Sequence, residues 1–353
     1  MFKLEARPQS SRRMAWLSPL FALLLTLLCG TLLFLFLGKN PLSGLAVFFI
    51  EPLKNLRGWT EVGVKLTPLL LCAVGLAICF RANVFNIGAE GQLVAGAIAG
   101  GGVALLLDQG QGGGAMAVVL ILLAGALGGM AWAAITAWLR DRYNANEILV
   151  SLMLVYVAQL LLAYLVNGWF KDPHGYNFPQ SKMFDSGFLL PMLIAQTRLH
   201  AGLLLALLAA LLAWLYLSKS FAGFKLQVGG MAPLAARYAG FSSRQSLWSA
   251  MLICGGLSGL AGVIEVIGPI GQLTPSISPG YGFAAIIVAF VGRLHPIGVV
   301  FGSFVMALFY IGGEQAQSQL GLPAAITGVF QGVLLFALLA CDVLIAYRLT
   351  WKK

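Results

Sequence analysis

Apolar runs of about twenty residues recur along the whole chain, each followed by a short segment that collects the polar and charged residues. A bilayer core takes about 20 residues of helix to cross. Backbone facing lipid has to satisfy its own hydrogen bonds, so such runs form helices rather than open strands. Ten spans are predicted, at 16–38, 62–80, 84–107, 115–139, 146–168, 200–218, 247–268, 276–292, 297–313 and 323–347. An even number places both ends on one side. With the N-terminus in the cytoplasm, fifteen of the 22 Lys and Arg residues fall inside, the bias expected of a membrane protein with cytoplasmic termini. The expected class is an all-α integral membrane protein. Its parts are a cytoplasmic tail at 1–15, one transmembrane domain at 16–347, and a cytoplasmic tail at 348–353. Three connections exceed a turn. Segment 40–60 is suited to the membrane interface, 168–198 is an ordered external loop, and 219–244 is internal.

Composition sharpens this picture. The 353 residues are 59% hydrophobic and 10% charged, against about 25% charged in soluble domains. The apolar run after the basic N-terminal segment is too long for the core of a cleaved signal peptide and is taken as a retained first helix. The net charge of +10 lies in clusters between apolar runs. It makes no basic stripe interleaved with aromatics, which excludes nucleic acid as a partner. Cys29, Cys72, Cys79, Cys254 and Cys341 sit in apolar runs as packing residues. His174, His200 and His295 are scattered, so neither metal nor cofactor is expected. No paired carboxylates or activated nucleophile mark catalysis. No G-x-x-x-x-G-K-[ST] loop occurs, so ATP, if it drives this protein, binds another chain.

Two polar interruptions break the apolar pattern. "FRANVFNIGAEGQLVAG", residues 80–96, sets Asn83, Asn86, Glu90 and Gln92 among glycines. "GPIGQLTPSISPGYGFAAIIVAFVGR", residues 268–293, combines three prolines with Gln272, Ser276, Tyr281 and Phe283. Charged groups at membrane depth are costly and gather at pathways. Irregular backbone survives there only inside protein or beside a watery cavity. The breaks fall at corresponding places in two halves of opposite predicted direction, spans two to five and seven to ten. That pattern suggests an inverted repeat with two discontinuous helices and a path between them. Asn83, Asn86, Glu90, Gln92, Gln272 and Ser276 are the candidate path residues, with Tyr281 or Phe283 offering a ring for stacking. "GALGGM" and "CGGLSGLAG" are expected to serve helix packing. Glu265 and Glu314 fall near span ends, where solvated positions are expected. Glu147 follows Asn144 and Asn146, either of which can cap a helix there.

In the internal connection Pro233 opens, and Gly240 closes, a short helix with a small flat face of Ala235, Ala236 and Ala239. An exposed helix of this kind suits a groove on a partner.

Five stretches, "FRANVFNIGAEGQLVAGAIAG", "NEILVSLML", "VGGMAPLAARYAGFS", "GLAGVIEVIG" and "GYGFAAIIVAFVGRLHPIGVVFGSF", carry a resemblance. The chain resembles permease subunits of ABC importers in the branched-chain amino acid, ribose and simple-sugar group. It is most similar to the nucleoside-importing branch that works with a basic-membrane-type lipoprotein. The resemblance implies a second, non-identical permease subunit, a cytoplasmic ATP-binding subunit dimer and an extracytoplasmic solute-binding lipoprotein, in a bacterial inner membrane. It also implies that Gly230, Ala235, Ala236, Arg237, Tyr238 and Gly240 form the segment that couples to the ATPase. The family's "EAA…G" pattern appears here as Leu234-Ala235-Ala236 with Gly240, without the leading acid. Ser151 and Val155 stand where the family often has Thr and Asn. The expected cargo is a nucleoside or sugar. A carrier driven by an ion gradient through Glu90 is the alternative.

Overall fold

A computed structural model describes residues 2–7, 11–108 and 113–351; residues 1, 8–10 and 352–353 of the predicted tails, and 109–112, lie outside the described residues. Strand β1 (Phe2–Ala6) precedes the helices α1 (Arg12–Phe36), α2 (Pro41–Leu45), α3 (Glu51–Lys54), α4 (Leu56–Arg81), α5 (Ala89–Leu107), α6 (Ala115–Tyr143) and α7 (Glu147–Asn167). Then come α8 (Gly202–Lys219), α9 (Phe221–Met231), α10 (Pro233–Tyr238), α11 (Ser243–Glu265), α12 (Tyr281–Val291), α13 (Pro296–Leu320), α14 (Ala325–Ala346) and strand β2 (Tyr347–Trp351). Among the described residues, nine helices are long and apolar enough to cross a membrane, and α12 is a shorter apolar one. The ten predicted spans thus each have a helix, but eleven residues of α12 rise only about 16 Å, half a bilayer core. The order long helix, break and three further helices occurs twice, at α4–α7 and at α11–α14.

The tails depart from the all-helical expectation. Segments β1 and β2 pair antiparallel, with Phe2 opposite Trp351 and Glu5 opposite Arg348. The period-two alternation in "FKLEA" and "YRLTW" explains this; five residues are too few to register in a scan for spans.

The chain divides into two compact units, Met1–Val62 with Val305–Lys353, and Gly63–Phe304. The first is centred on phenylalanines: Phe48 stacks on Phe330 with centroids 4.5 Å apart, and Phe34, Phe49 and Phe309 surround them. The 40–60 segment is ordered there. It folds into α2, a π-helical turn and α3, with Phe48 fully buried.

The second unit is built on α5, α6 and α11, which meet through small residues. A β-carbon on Gly96 would fall 2.2 Å from the Gly259 Cα, and one on Gly129 would fall 2.2 Å from the Gly255 carbonyl oxygen. Backbones in van der Waals contact replace the interlocking of large side chains, as in membrane bundles where no hydrophobic force separates helix from lipid. "GALGGM" and "CGGLSGLAG" are these packing surfaces. The outward faces of α6, α7 and α8 carry exposed Leu127, Leu160, Leu211 and similar residues, as lipid contact requires.

Candidate functional site: two helix breaks joined by Glu90

The first break begins where α4 ends. Asn83 takes φ 57°, a left-handed conformation that Asn tolerates better than most residues, and its side chain is exposed. Asn86 is fully buried and organises the turn. Its Oδ1 accepts from the Gly88 N–H at 2.9 Å, and its side chain exchanges hydrogen bonds with buried Gln92 at 3.1 and 3.2 Å. Ser151 of α7 accepts from the Ile87 N–H at 3.1 Å. These partners satisfy the backbone freed by the break, as buried polar groups require. The two amides thus hold the turn and the first residues of α5 together.

The second break follows α11. A π-helical turn, Val266–Ile270, contains Pro269 and leads into a loop that reaches Gly280 at φ 93°. The 168–198 connection is ordered against it. Ser181, Phe184 and Leu190 donate backbone N–H groups to the carbonyls of Leu273, Gly271 and Ile267, each at 2.9 Å. Gln272 faces Gln180 at 3.4 Å.

Glu90 connects the breaks. It lies in the first turn of α5, nearly fully buried, and its Oε2 accepts from the Gly282 N–H of α12 at 2.6 Å. Ser278 and the Gly280 backbone also bond its carboxyl group. Ser278 Oγ in turn accepts from the Tyr281 N–H at 3.0 Å. The first N–H groups of a helix have no partner of their own, and here a side chain from the other break supplies it. Contact is close: a β-carbon on Gly282 would fall 2.2 Å from the Glu90 backbone nitrogen. Glu90 is therefore the N-terminal cap of α12, delivered from a different helix.

Of the remaining predicted site residues, Ser276 is exposed and makes no part of the Glu90 contact; Ser278, not anticipated from sequence, takes that position. Tyr281 is fully buried, with Lys65 Nζ 5.8 Å from its ring centre, so its ring offers no open face; Phe283 is exposed. Glu265 was expected to be solvated and is instead buried, facing the cations Lys65 and Arg198. An apolar sequence on both sides of an acid, "GLAGVIEVIG", was the available signal. Glu314 is exposed as expected. Asn146 caps α7, accepting from Ile148 at 2.9 Å, and Glu147 pairs with Arg140 at 3.4 Å.

His200 lies just before α8, buried against Gly268, with Nδ1 accepting from the Gly202 N–H at 3.2 Å. Burial, aided by Arg198, pushes its pKa from 6.5 down to about 4. The unfolded chain takes up this proton as pH falls through 6.5, the folded chain only near 4, so stability drops as pH falls across that window. His200→Gln keeps an acceptor for Gly202 and removes the titration. The thermal midpoint of the purified variant is expected to decline less from neutral to acid pH than that of wild type; equal declines would show that the imidazole is not held neutral.

In the internal connection, Pro233 does open α10, and Gly240 at φ 79° closes the turn behind it. The expected flat alanine face is not presented: Ala236 is buried, its carbonyl accepting from the Phe241 N–H at 2.9 Å. Ala236 turns inward against the chain, and Ala239 lies beyond the last residue of α10, so the three do not form one presented surface. Leu234, Tyr238 and Met231 stand out instead, at 85%, 97% and 85% exposure, together with exposed Arg237 and Ala235. Gly230 sits on the opposite side, against Arg81 and Ala82 of the first break.

Two broken apolar segments, clamped by a buried acid inside a bundle of spanning helices, define a polytopic membrane transport protein. The chain belongs to the branched-chain amino acid transport system / permease component family, whose pattern it matches over residues 58–339. It is 34% identical over 348 residues to the glucose ABC transporter permease protein TsgB13 of Haloferax volcanii, covering 95% of this chain and 90% of that one. It is 30% identical over 324 residues to the guanosine ABC transporter permease protein NupP of Bacillus subtilis (90% and 91% covered). A further relative, the nucleoside ABC transporter permease protein NupB of Lactococcus lactis, is 26% identical over 328 residues (91% and 89% covered). The chain is thus a permease subunit of an ABC transporter, a transport component and not an enzyme. Membership implies an ATP-binding subunit and a solute-binding protein as its working partners. An ion-coupled carrier is not favoured.

Proposed function

We propose that this permease imports a nucleoside or a sugar across a bacterial inner membrane, with both termini cytoplasmic. A second, non-identical permease subunit, an ATP-binding subunit dimer and an extracytoplasmic lipoprotein complete the importer. The observation that carries the reading is the hydrogen bond from the Gly282 N–H to Glu90, which draws the two breaks together. Half-helices that meet at membrane depth are where transporters place their paths. Around this junction Asn83, Phe283, Gln272 and Ser276 are the groups with surface to offer a solute, while Asn86, Glu90 and Gln92 support them from behind. The cargoes named for the relatives, glucose, guanosine and nucleosides, share a hydroxyl-bearing sugar ring. Amides and a serine hydroxyl suit the hydroxyls, and Phe283 suits a base or the apolar face of a sugar. The segment α9–α10 presents Leu234, Arg237 and Tyr238 to the ATP-binding subunit. The Lys and Arg bias supports the orientation.

Membrane vesicles carrying the whole importer test this with labelled guanosine and glucose. With ATP depleted and the proton gradient kept, uptake of the transported solute is expected to stop. Uptake that persists under those conditions would favour the ion-coupled carrier, and failure with ATP for both solutes would remove the cargo assignment.

A further inference from the structure

Arg81, the last residue of α4, stands where three segments meet. Its Nε donates to the Leu294 carbonyl at 2.8 Å, and its Nη1 donates to Gln227 Oε1 at 2.9 Å. Leu294 belongs to the turn directly after α12, where Arg293 and Leu294 take φ 57° and 54° in succession. Two adjacent residues in the left-handed region, neither of them glycine, form an unfavourable turn that needs outside support. Gln227 lies on α9, and its Nε2 donates to the Leu217 and Gly223 carbonyls at 2.6 and 3.3 Å, which fixes its oxygen toward Arg81. One turn later Gly230 touches the same place: a β-carbon there would fall 2.2 Å from the Arg81 carbonyl oxygen. Beside it Phe80 stacks on Phe290 of α12, centroids 5.2 Å apart and planes 20° from parallel.

The two ends of α12 are therefore both held from the first break. Glu90 binds its N-terminus, and Arg81 with Phe80 binds its C-terminus. Along the chain, α9 is separated from α12 by α10, the whole of α11 and the second break. Through Arg81 and the Gln227 side chain it meets the turn after α12 directly. We propose that Arg81 is the positioning residue that transmits movement of α9–α10 to the α12 half-helix, so that α12 and the end of α4 move as one piece. This rests on the reading that α9–α10 docks the ATP-binding subunit. A guanidinium suits the task because its rigid fork holds two acceptors in different directions, which a lysine ammonium does not fix.

The test uses the complete importer in proteoliposomes, measuring solute uptake and ATP hydrolysis in the same preparation. Gln227→Leu cuts the arm to α9 and leaves the arm to Leu294. It is expected to assemble and hydrolyse ATP as wild type does while uptake per ATP falls about tenfold. Gln227→Glu keeps an acceptor and is expected to retain coupling, which a merely structural role does not require. Arg81→Lys, able to hold one partner at a time, gives the same reading if Gln227→Leu fails to accumulate. Arg81→Met combined with Gln227→Leu is expected to be no worse than Arg81→Met alone, because that change already cuts the arm to Gln227. Wild-type uptake per ATP in Gln227→Leu or Arg81→Lys overturns the proposal. Tyr238→Cys, tested for cross-linking to the ATP-binding subunit, separates the two levels. Failure to cross-link overturns the docking reading itself; a cross-link together with normal coupling in Gln227→Leu overturns only the part given to Arg81.

Discussion

Glu90→Ala is expected to abolish most uptake and to cost the protein on the order of 3 kcal/mol of stability. The Glu90 side chain is buried, and it accepts from the Gly282 N–H at 2.6 Å while also meeting Ser278 and the Gly280 backbone. Removing it leaves the buried Gly282 N–H of α12 without its acceptor. Losing an ordinary helix cap costs about 1 kcal/mol, and a buried hydrogen bond lost by one partner costs more. The half-helix would then no longer be fixed to α5, and the two breaks would separate. Glu90→Gln retains an acceptor and should lose less. Gly282→Val attacks the same junction from the other side, since a β-carbon there collides with the Glu90 backbone nitrogen. It should resemble Glu90→Ala in both uptake and thermal midpoint. Wild-type uptake by Glu90→Ala at normal abundance would show that the junction is not needed.

The second large effect is expected in the α9–α10 segment, and it should differ in kind. Gly240→Pro replaces a residue at φ 79° by one confined near −65°, and it removes the N–H that bonds the Arg237 carbonyl at 3.1 Å. The turn that presents Tyr238 and Arg237 must then change course, while the surrounding residues are exposed and the bundle keeps its contacts. Arg237→Glu reverses charge on the same exposed surface without disturbing the backbone. Both variants are expected to accumulate and to keep their stability within about 1 kcal/mol of wild type, yet to lose about tenfold or more in transport. If either transports normally with the ATP-binding subunit bound, the segment is not the coupling element.

The contrast between these variants follows from how much of the molecule could be read from its sequence. Apolar runs of span length and their glycine-rich faces were legible because lipid and close backbone approach leave few alternatives: the stripe at Gly129, Gly255 and Gly259 is a packing surface in the structure as in the pattern. Both breaks were legible for the same reason, since amides and prolines stand out among apolar residues. What Glu90 touches was not legible. Its partner Gly282 is 192 positions away, and a backbone N–H leaves no mark on a sequence. Spacing alone does not say which hydroxyl turns inward, and it is Ser278 rather than Ser276 that meets Glu90. Glu265 was misplaced because its partners, Lys65 on α4 and Arg198 before α8, are brought together only by packing. The run of small residues around α10 does not reveal that the helix buries Ala236 and exposes Leu234 and Tyr238, because that depends on how the helix sits on the bundle.

The most direct test of the junction as the wall of a path is thiol labelling at Phe283, next to the Glu90 contact and exposed in the structure. Cys72, Cys79 and Cys254 are buried and Cys29 and Cys341 only partly exposed, so a Phe283→Cys variant can be read against the unmodified background. A membrane-impermeant thiol reagent, applied to vesicles of both orientations, should label this position from at least one side, and the transported solute should slow the labelling. Labelling only by a lipid-soluble reagent, unchanged by solute from either side, would place Phe283 against acyl chains and contradict the account.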